Sequence, residues 1–410
     1  MSRDYTGGVL AFAAFIVISL LAVCGMLLIF RDVRRYRFFP RLATALELRS
    51  SELPADARES ISLIIPARNE ERNIGRAVHS ALEQISPRVI DLIVVDDDST
   101  DGTMRILADI RRAPANLAGR QLRIISGRPL PPGWVGKCNA CAHGASLATG
   151  EWLMFLDADT APQPNLVEAM LAHAHRHNLD ACSVWPFQEL GTLSEQLIIP
   201  AFAHLVVSVF PLPTLANPTM PPNMAAANGQ CILVKRAVYE AIGGHAAVKS
   251  SLLEDVHLAQ SLRRAGFRFA VVNAQEHVRV RMYQDFGEIV EGLARNAQAG
   301  STANPKRTLI GFTEIGLTTL WPPFILAGSV AASFIFRDVW LAWATIVCVL
   351  WYGASLRFWR AHLEQNYRQP GNLCALMAVG LMIYFFIAAR SQLRGIFERG
   401  VTWKGRTVAT

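Results

Sequence analysis

Leu92-Ile93-Val94-Val95-Asp96-Asp97-Asp98-Ser99-Thr100-Asp101-Gly102-Thr103 sets the pattern for the middle of the chain. Four apolar, mostly β-branched residues predict a short buried strand. The acidic run after them ends it in a polar turn, and a helix follows. The same pattern recurs on both sides. Upstream, Ile61-Ser62-Leu63-Ile64-Ile65 predicts a strand stopped by Pro66, and Arg68-Asn69-Glu70-Glu71 opens a helix to about Gln84. Downstream, Leu122-Arg123-Ile124-Ile125 predicts a third strand, residues 137–148 a helix, and Trp152–Leu156 a strand ending in Asp157-Ala158-Asp159-Thr160. Strands alternating with helices of this length predict an α/β fold, a mainly parallel sheet with helices on both faces. Ligands of such sheets sit at the carboxyl ends of the strands. Three of those ends carry Asn69 and Glu70, Asp96 and Asp97, and Asp157 and Asp159, and this coincidence marks a candidate site.

The chemistry of the last pair is specific. Carboxylates one residue apart repel each other and are costly to desolvate unless something positive lies between them. A divalent cation carrying a phosphorylated ligand is the natural partner, because hard cations prefer oxygen donors. Alone, the pattern is weak, and the alternative is a strand that ends in a polar turn. For Asp96–Asp101 the alternative is an N-cap, with Ser99 or Thr100 opening the next helix. For Lys137 it is a solvated lysine at a helix start. Cys138 and Cys141 form a CxxC with no second pair, and plain helix packing is the expectation. His173, His175 and His177 are spaced by two on one helix and are expected at the surface.

The chain of 410 residues is 51% apolar and only 18% charged, with a net charge of +7, and its apolar excess is clumped at the two ends. The arginines crowd beside the apolar runs, which points to a lipid bilayer and away from nucleic acid. No residue from Tyr5 to Phe30 is charged, and Arg31-Asp32-Val33-Arg34-Arg35-Tyr36-Arg37 follows. That order predicts an uncleaved anchor with its N-terminus outside and the chain continuing in the cytosol, rather than a signal peptide. Residues 42–60 read as a linker. Leu197 to Phe210 is apolar but broken by Pro200 and followed by Pro211, Pro213, Pro218, Pro221 and Pro222; core is one reading, a segment lying on the bilayer the favoured one. Glu254-Asp255 starts a helix closing at Gly266, and His277 to Met282 alternates like a strand at a sheet edge. Leu317–Phe336, Val339–Leu356 and Leu373–Ala389 are each near spanning length, followed by Arg390, Arg394, Arg399, Lys404 and Arg406. Three spans would put that basic tail outside, so either one segment does not cross, the one interrupted by Trp321-Pro322-Pro323 being a candidate, or the positive-inside rule fails here. The expected organisation is a membrane anchor and linker over 1–58, a cytosolic catalytic domain over 59–300, and membrane helices with a basic tail over 301–410.

Pro66-Ala67-Arg68-Asn69-Glu70-Glu71, Val95–Thr103, Asp157-Ala158-Asp159 and Glu254-Asp255 together resemble, in order and spacing, family 2 glycosyltransferases over roughly residues 60–300. Trp134-Val135-Gly136-Lys137, with Ala140 and Gly144, resembles the hopene-associated and carotenoid-glycosylating membrane enzymes of that family. The resemblance implies a GT-A fold in the plasma membrane of a bacterium. It implies a nucleotide-sugar donor bound by Pro66, Ala67, Asn69, Glu70, Asp96, Asp97, Lys137, Asp157 and Arg295. It implies Mg²⁺ or Mn²⁺ on Asp157 and Asp159, which would neutralise the diphosphate leaving group. Asp255, with Glu254 as the spare, becomes the candidate general base of an inverting transfer to a membrane lipid acceptor. The structural alternative is that both are merely helix-start acids. The processive synthases' Q/R-x-x-R-W motif is missing: Gln260-Ser261-Leu262-Arg263-Arg264 lacks the Trp, which argues against a polymer-extruding synthase. A nucleotidyltransferase would need a glycine-bearing phosphate loop that Pro66–Glu71 lacks. A non-catalytic scaffold would not need intact acids at all four motifs.

Overall fold

The computed structural model of the chain describes residues 2–44, 47, 59–112, 121–217, 219–303, 305–397, 401–403 and 406–408. Most of the expected linker, together with Pro218, Arg399 and Lys404, lies outside the described residues. The chain forms two compact units: an α/β unit of Phe39–Glu189, Phe210–Met282 and Gly395–Thr410, and a helical unit of Met1–Phe38, Leu190–Val209 and Tyr283–Arg394. Neither is a continuous stretch. Leu190–Val209 and the residues from Tyr283 cluster with the helices, although they fall inside the expected domain 59–300.

The α/β unit holds β1 (Ile61–Ala67), β2 (Val89–Asp96), β3 (Gln121–Ser126), β4 (Trp152–Leu156), β5 (Thr160–Pro162), β6 (Ala181–Trp185), β7 (Phe187–Gln188), β8 (Cys231–Lys235), β9 (Phe269–Asn273) and β10 (Val278–Val280). Seven of them form one sheet in the order β3-β2-β1-β4-β8-β6-β9. β3, β2, β1 and β4 run parallel, as do β6 and β9, while β8 is antiparallel to both neighbours. Every residue of β4 is buried. That is why its sequence is unbroken apolar rather than alternating, as sheets covered on both faces require. Each such side chain contributes roughly 1.5–3 kcal/mol relative to staying in water.

Three local expectations need correction. β1 does not stop at Pro66 but runs through it to Ala67. β4 pairs only with Ile61–Ile64, so Pro66 has a neighbour on one side, β2, where a strand tolerates a missing N–H. The helix expected from Arg68 starts at Ile74, because Asn69 takes φ 51° and ends the extended chain in a left-handed turn. β10 is no edge strand: it lies between β5 and β7 in a second, three-stranded sheet. In addition, His173 is buried, with its ring 4.4 Å from that of His177, one turn on, so it is not a surface residue. Cys138 and Cys141 are both buried in helix Gly136–Leu147, as packing predicts. Leu42, expected in the linker, is buried, and its N–H donates to the Asn273 carbonyl at the end of β9.

Among the described residues, the helical unit has four helices long and apolar enough to cross a membrane: Gly7–Arg37, Pro305–Phe336, Val339–Tyr367 and Gly371–Leu393. Trp321-Pro322-Pro323 does not break the second. A π-helical turn, Gly316–Leu320, precedes the prolines and absorbs their missing N–H groups. The carbonyls it exposes are satisfied from helix Val339–Tyr367: Trp351 Nε1 donates to Leu317 O at 3.1 Å and Ser355 Oγ to Thr318 O at 2.6 Å. A Cβ at Gly25 would collide with the Trp351 indole, so glycine is required where these helices meet. Helix Leu193–Val209, favoured as a segment lying on the bilayer, is buried on nearly all sides. It is apolar all round, and such a helix belongs in an interior. Its His204 Nδ1 lies 3.1 Å from Tyr36 Oη, and Arg31 bridges Asp32 and Glu314 at 2.8 and 2.9 Å.

Candidate active site

Because β1, β2, β3 and β4 are parallel, their carboxyl ends deliver Arg68–Glu70, Asp96–Asp101, Gly127 and Asp157–Asp159 to one edge of the sheet. β8 reaches that edge differently. Being antiparallel, it brings its beginning there, so Asn228-Gly229-Gln230 lies beside Asp157, whose N–H donates to Gln230 O at 3.1 Å.

The first two loops are stitched to each other. Asn69 N donates to Ser99 Oγ at 2.9 Å, and Asn69 Oδ1 accepts from Thr100 N at 2.8 Å. Glu70 N donates to Thr103 Oγ1 at 2.8 Å and Glu71 N to Asp101 Oδ2 at 3.0 Å, while Gly102 N donates to Glu71 Oε2 at 2.8 Å. The buried Arg68 guanidinium donates to the Asp97 and Asp98 carbonyls. The helix cap is neither Ser99 nor Thr100. Asp101 Oδ1 accepts from Thr103 N at 3.0 Å, and Ser99 and Thr100 serve Asn69 instead. Hydrogen bonds to Asp101 outweigh its partial burial and hold its carboxyl below the usual range. Of the three consecutive aspartates, Asp96 and Asp97 are buried and Asp98 is exposed. Asp96 Oδ2 accepts from Ser99 N at 3.3 Å; among the described residues its buried Oδ1 has no hydrogen-bond partner.

The second half of the site is organised around Lys137, which is not a solvated helix-start lysine. Its Nζ lies 2.7 Å from Asp157 Oδ1 and 2.8 Å from Glu254 Oε1. Burial works against the ammonium, but these two carboxylates outweigh it and keep Lys137 protonated. For Asp157, burial prevails over Lys137 and raises the carboxyl. For Glu254, Lys137 prevails over burial and lowers it. Asp255, next in the chain, is pushed up to about 7, first by burial and then by the neighbouring Glu254 charge. Both of its oxygens accept a backbone N–H at 2.8 Å, Oδ2 from Gly229 and Oδ1 from Val256. Its plane is fixed by the first turn of helix Glu254–Arg264 on one side and by the start of β8 on the other. A carboxylate so held, with a proton affinity near neutral pH, has the properties of a general base.

Residues 62–243 match the family described as glycosyl transferase family 2. This stretch is a glycosyl transferase family 2 domain. The chain is 28% identical over 251 residues to the 4,4'-diaponeurosporenoate glycosyltransferase of Staphylococcus haemolyticus (strain JCSC1435), across 60% of this chain and 64% of that one. It is 27% identical over 253 residues to the protein of the same name from Staphylococcus aureus (strain USA300), across 59% and 62%. The chain thus spans a little under two thirds of these relatives' length. In structure it is similar to a mannosyltransferase of Pyrobaculum calidifontis solved with GDP-Man and Mn²⁺, with a TM-score of 0.52 at 18% identity over 93% of this chain and 99% of that one. The fold is GT-A, as the motifs implied.

Within the family 2 domain, the oxygen donors at Asp157 and Asp159 suit a hard divalent cation. Among the described residues no group of three His, Cys, Asp or Glu side chains converges to cage an ion. Pro66 and Ala67 end β1, with Asp97 N donating to Ala67 O at 2.8 Å. Arg295 belongs to the chain's other unit, on helix Phe286–Ala303. Two site residues escape a reading of motifs. Gly229 has no ionisable group to flag it, and Arg68 acts through its guanidinium on backbone carbonyls. No local sequence signal marks the first, because only the antiparallel course of β8 brings it to Asp255.

Proposed function

We propose that this chain is an inverting glycosyltransferase that moves a sugar from a nucleotide-diphosphate sugar to a membrane lipid of isoprenoid type, such as a carotenoid or hopanoid. The observation that carries the reading is Asp255, tuned to about 7 and fixed by Gly229 N–H, beside the Lys137 bridge to Asp157 and Glu254. The names of the relatives and the four long apolar helices support a lipid acceptor, and the arginines that follow the first apolar run support a family 2 domain on the cytosolic side of a bacterial membrane.

Each residue has a task. Asp96, with its orphaned buried oxygen, accepts a ring or ribose hydrogen of the donor nucleotide. Asp97 and Arg68 keep that loop rigid. Asp157 and Asp159 hold Mg²⁺ or Mn²⁺, which when bound neutralises the departing diphosphate. Lys137 supplies a second positive charge at the same place. Asp255 takes the proton of the acceptor hydroxyl as that oxygen attacks C1 from the face opposite the diphosphate. No covalent intermediate is needed.

The test uses membranes containing the intact chain, a panel of radiolabelled UDP-, GDP- and dTDP-sugars, and mass identification of the labelled lipid. One labelled isoprenoid lipid is expected, lost on replacing Asp157 and Asp159 with alanine. Unchanged lipid labelling in that variant sinks the cation site, and label in a water-soluble product alone sinks the lipid acceptor.

A further inference from the structure

One contact in the site is at odds with its proposed use. Asp157, a ligand assigned to the cation, already has an oxygen 2.7 Å from the Lys137 ammonium. The ammonium is itself shared with Glu254 at 2.8 Å. We infer that Lys137 is a place-holder for the divalent cation on Asp157 and couples cation binding to donor binding. The inference rests on the proposed donor site.

The argument is one of charge and reach. A divalent cation arriving alone must share Asp157 with a like-charged ammonium at hydrogen-bond distance, which weakens its binding. A diphosphate arriving alone meets Asp157, Asp159, Glu254 and Asp255, with Lys137 the cation facing them. Arriving together, the two ligands add almost no net charge. The diphosphate then gives Lys137 an anion to turn to as it releases Asp157. Geometry favours this exchange. Lys137 is anchored at the start of helix Gly136–Leu147, and a flexible four-carbon stem carries its charge. Glu254 keeps hold of it from the other side, so only one of its two partners has to change. The space near Nζ is kept open by Gly229, where a Cβ would lie 3.2 Å from both Lys137 Nζ and Asp255 Oδ2. The backbone of Gly229 has no left-handed φ, so its lack of a side chain serves this close approach and not the turn.

The test is a Mn²⁺ titration of the full-length chain, following free Mn²⁺ by electron paramagnetic resonance, alone and with UDP, GDP or dTDP. In the wild type the effective nucleotide tightens Mn²⁺ binding by about tenfold or more, within the usual range of coupling between sites. Lys137→Met should bind Mn²⁺ alone about tenfold more tightly than wild type, bind the nucleotide more weakly, and lose most of the enhancement. Lys137→Arg, which keeps the charge, should retain it. Lys137→Gln serves as the second neutral variant if the methionine variant does not fold. Mn²⁺ affinity in the neutral variants that is unchanged or weaker overturns the place-holder and leaves the donor site standing. A wild type that binds neither Mn²⁺ nor any of the nucleotides overturns the donor site itself.

Discussion

The sheet edge carries two acidic loops that use the same side chain in opposite ways. In Asp96–Asp101, carboxylates and carbonyls are tied to backbone N–H groups, hydroxyls and one guanidinium on the facing loop. Around Asp157 and Glu254 the carboxylates share one flexible ammonium. Bonds to the backbone cannot be exchanged without unfolding the loop, whereas a lysine can let go of one partner for another. Apart from the open Oδ1 of Asp96, the first loop is therefore a frame and the second a working part, though by sequence both are built from aspartate and glutamate.

Breaking the working part should have the largest effect. Asp255→Asn removes the base and keeps the shape, so transfer should fall by about 10²–10⁴-fold in single-turnover assays. Donor affinity, measured by calorimetry, should hardly change; activity within tenfold of wild type would move the base elsewhere.

The next effect is on pH. Asp255 must be ionised to act, so kcat/KM should fall as pH drops below about 7. Stability runs the other way. The carboxyl's affinity for protons is raised by folding, so its contribution to stability is complete below the ordinary carboxylate range and is lost as pH rises through about 7. Asp255→Asn should therefore melt at a higher temperature than wild type at pH 8 and show no such gain at pH 4. An equal difference at both values would mean that the carboxyl is not raised.

The frame should respond more mildly. Asn69→Ala loses the bond to Thr100 N and places a less suitable residue at φ 51°, costing about 1 kcal/mol in urea unfolding, with a modest rise in donor KM. Asn69→Gly should restore part of the stability. The smallest change is expected for Asp98→Asn, which removes the charge of a side chain that is 82% exposed and still suits the left-handed region at its φ of 62°. Transfer and melting should both stay at wild-type values, and a tenfold loss would show that this carboxylate too reaches the donor.

Why some of this was legible in the sequence is itself physical. Apolar runs such as Leu92–Val95 and Trp152–Leu156 could only be strands covered on both faces, and their parallel order put the following polar residues on one edge. Asp96 and Asp157 follow apolar strands, where charge is expensive, so they stood out; Asp255 stood out only through the family resemblance, because an acid at a helix start is unremarkable. The start of β8 was hidden because nothing local to Cys231–Val234 says that this strand runs backward, and only that reversal brings Gly229 to Asp255. Lys137 was ambiguous because a lysine at a helix start is cheap in solvent; its partners come from residues 20 and 117 positions away. The stitching of Asn69 to Thr100 likewise links loops that are separate in sequence, so a helix looked natural where a left-handed turn forms.

The π-turn at Gly316–Leu320 has a consequence for anyone mapping this protein by substitution. A single extra residue in a helix advances everything beyond it by roughly 100° around the axis. The segments before and after the turn, Pro305–Ile315 and Trp321–Phe336, therefore do not share one angular register. A scan plotted on a single helical wheel would assign exposed and packed positions to the wrong sides in one half. Deleting one residue within Gly316–Leu320 would rotate the second half back into phase with the first, and take Leu317 O and Thr318 O away from Trp351 and Ser355.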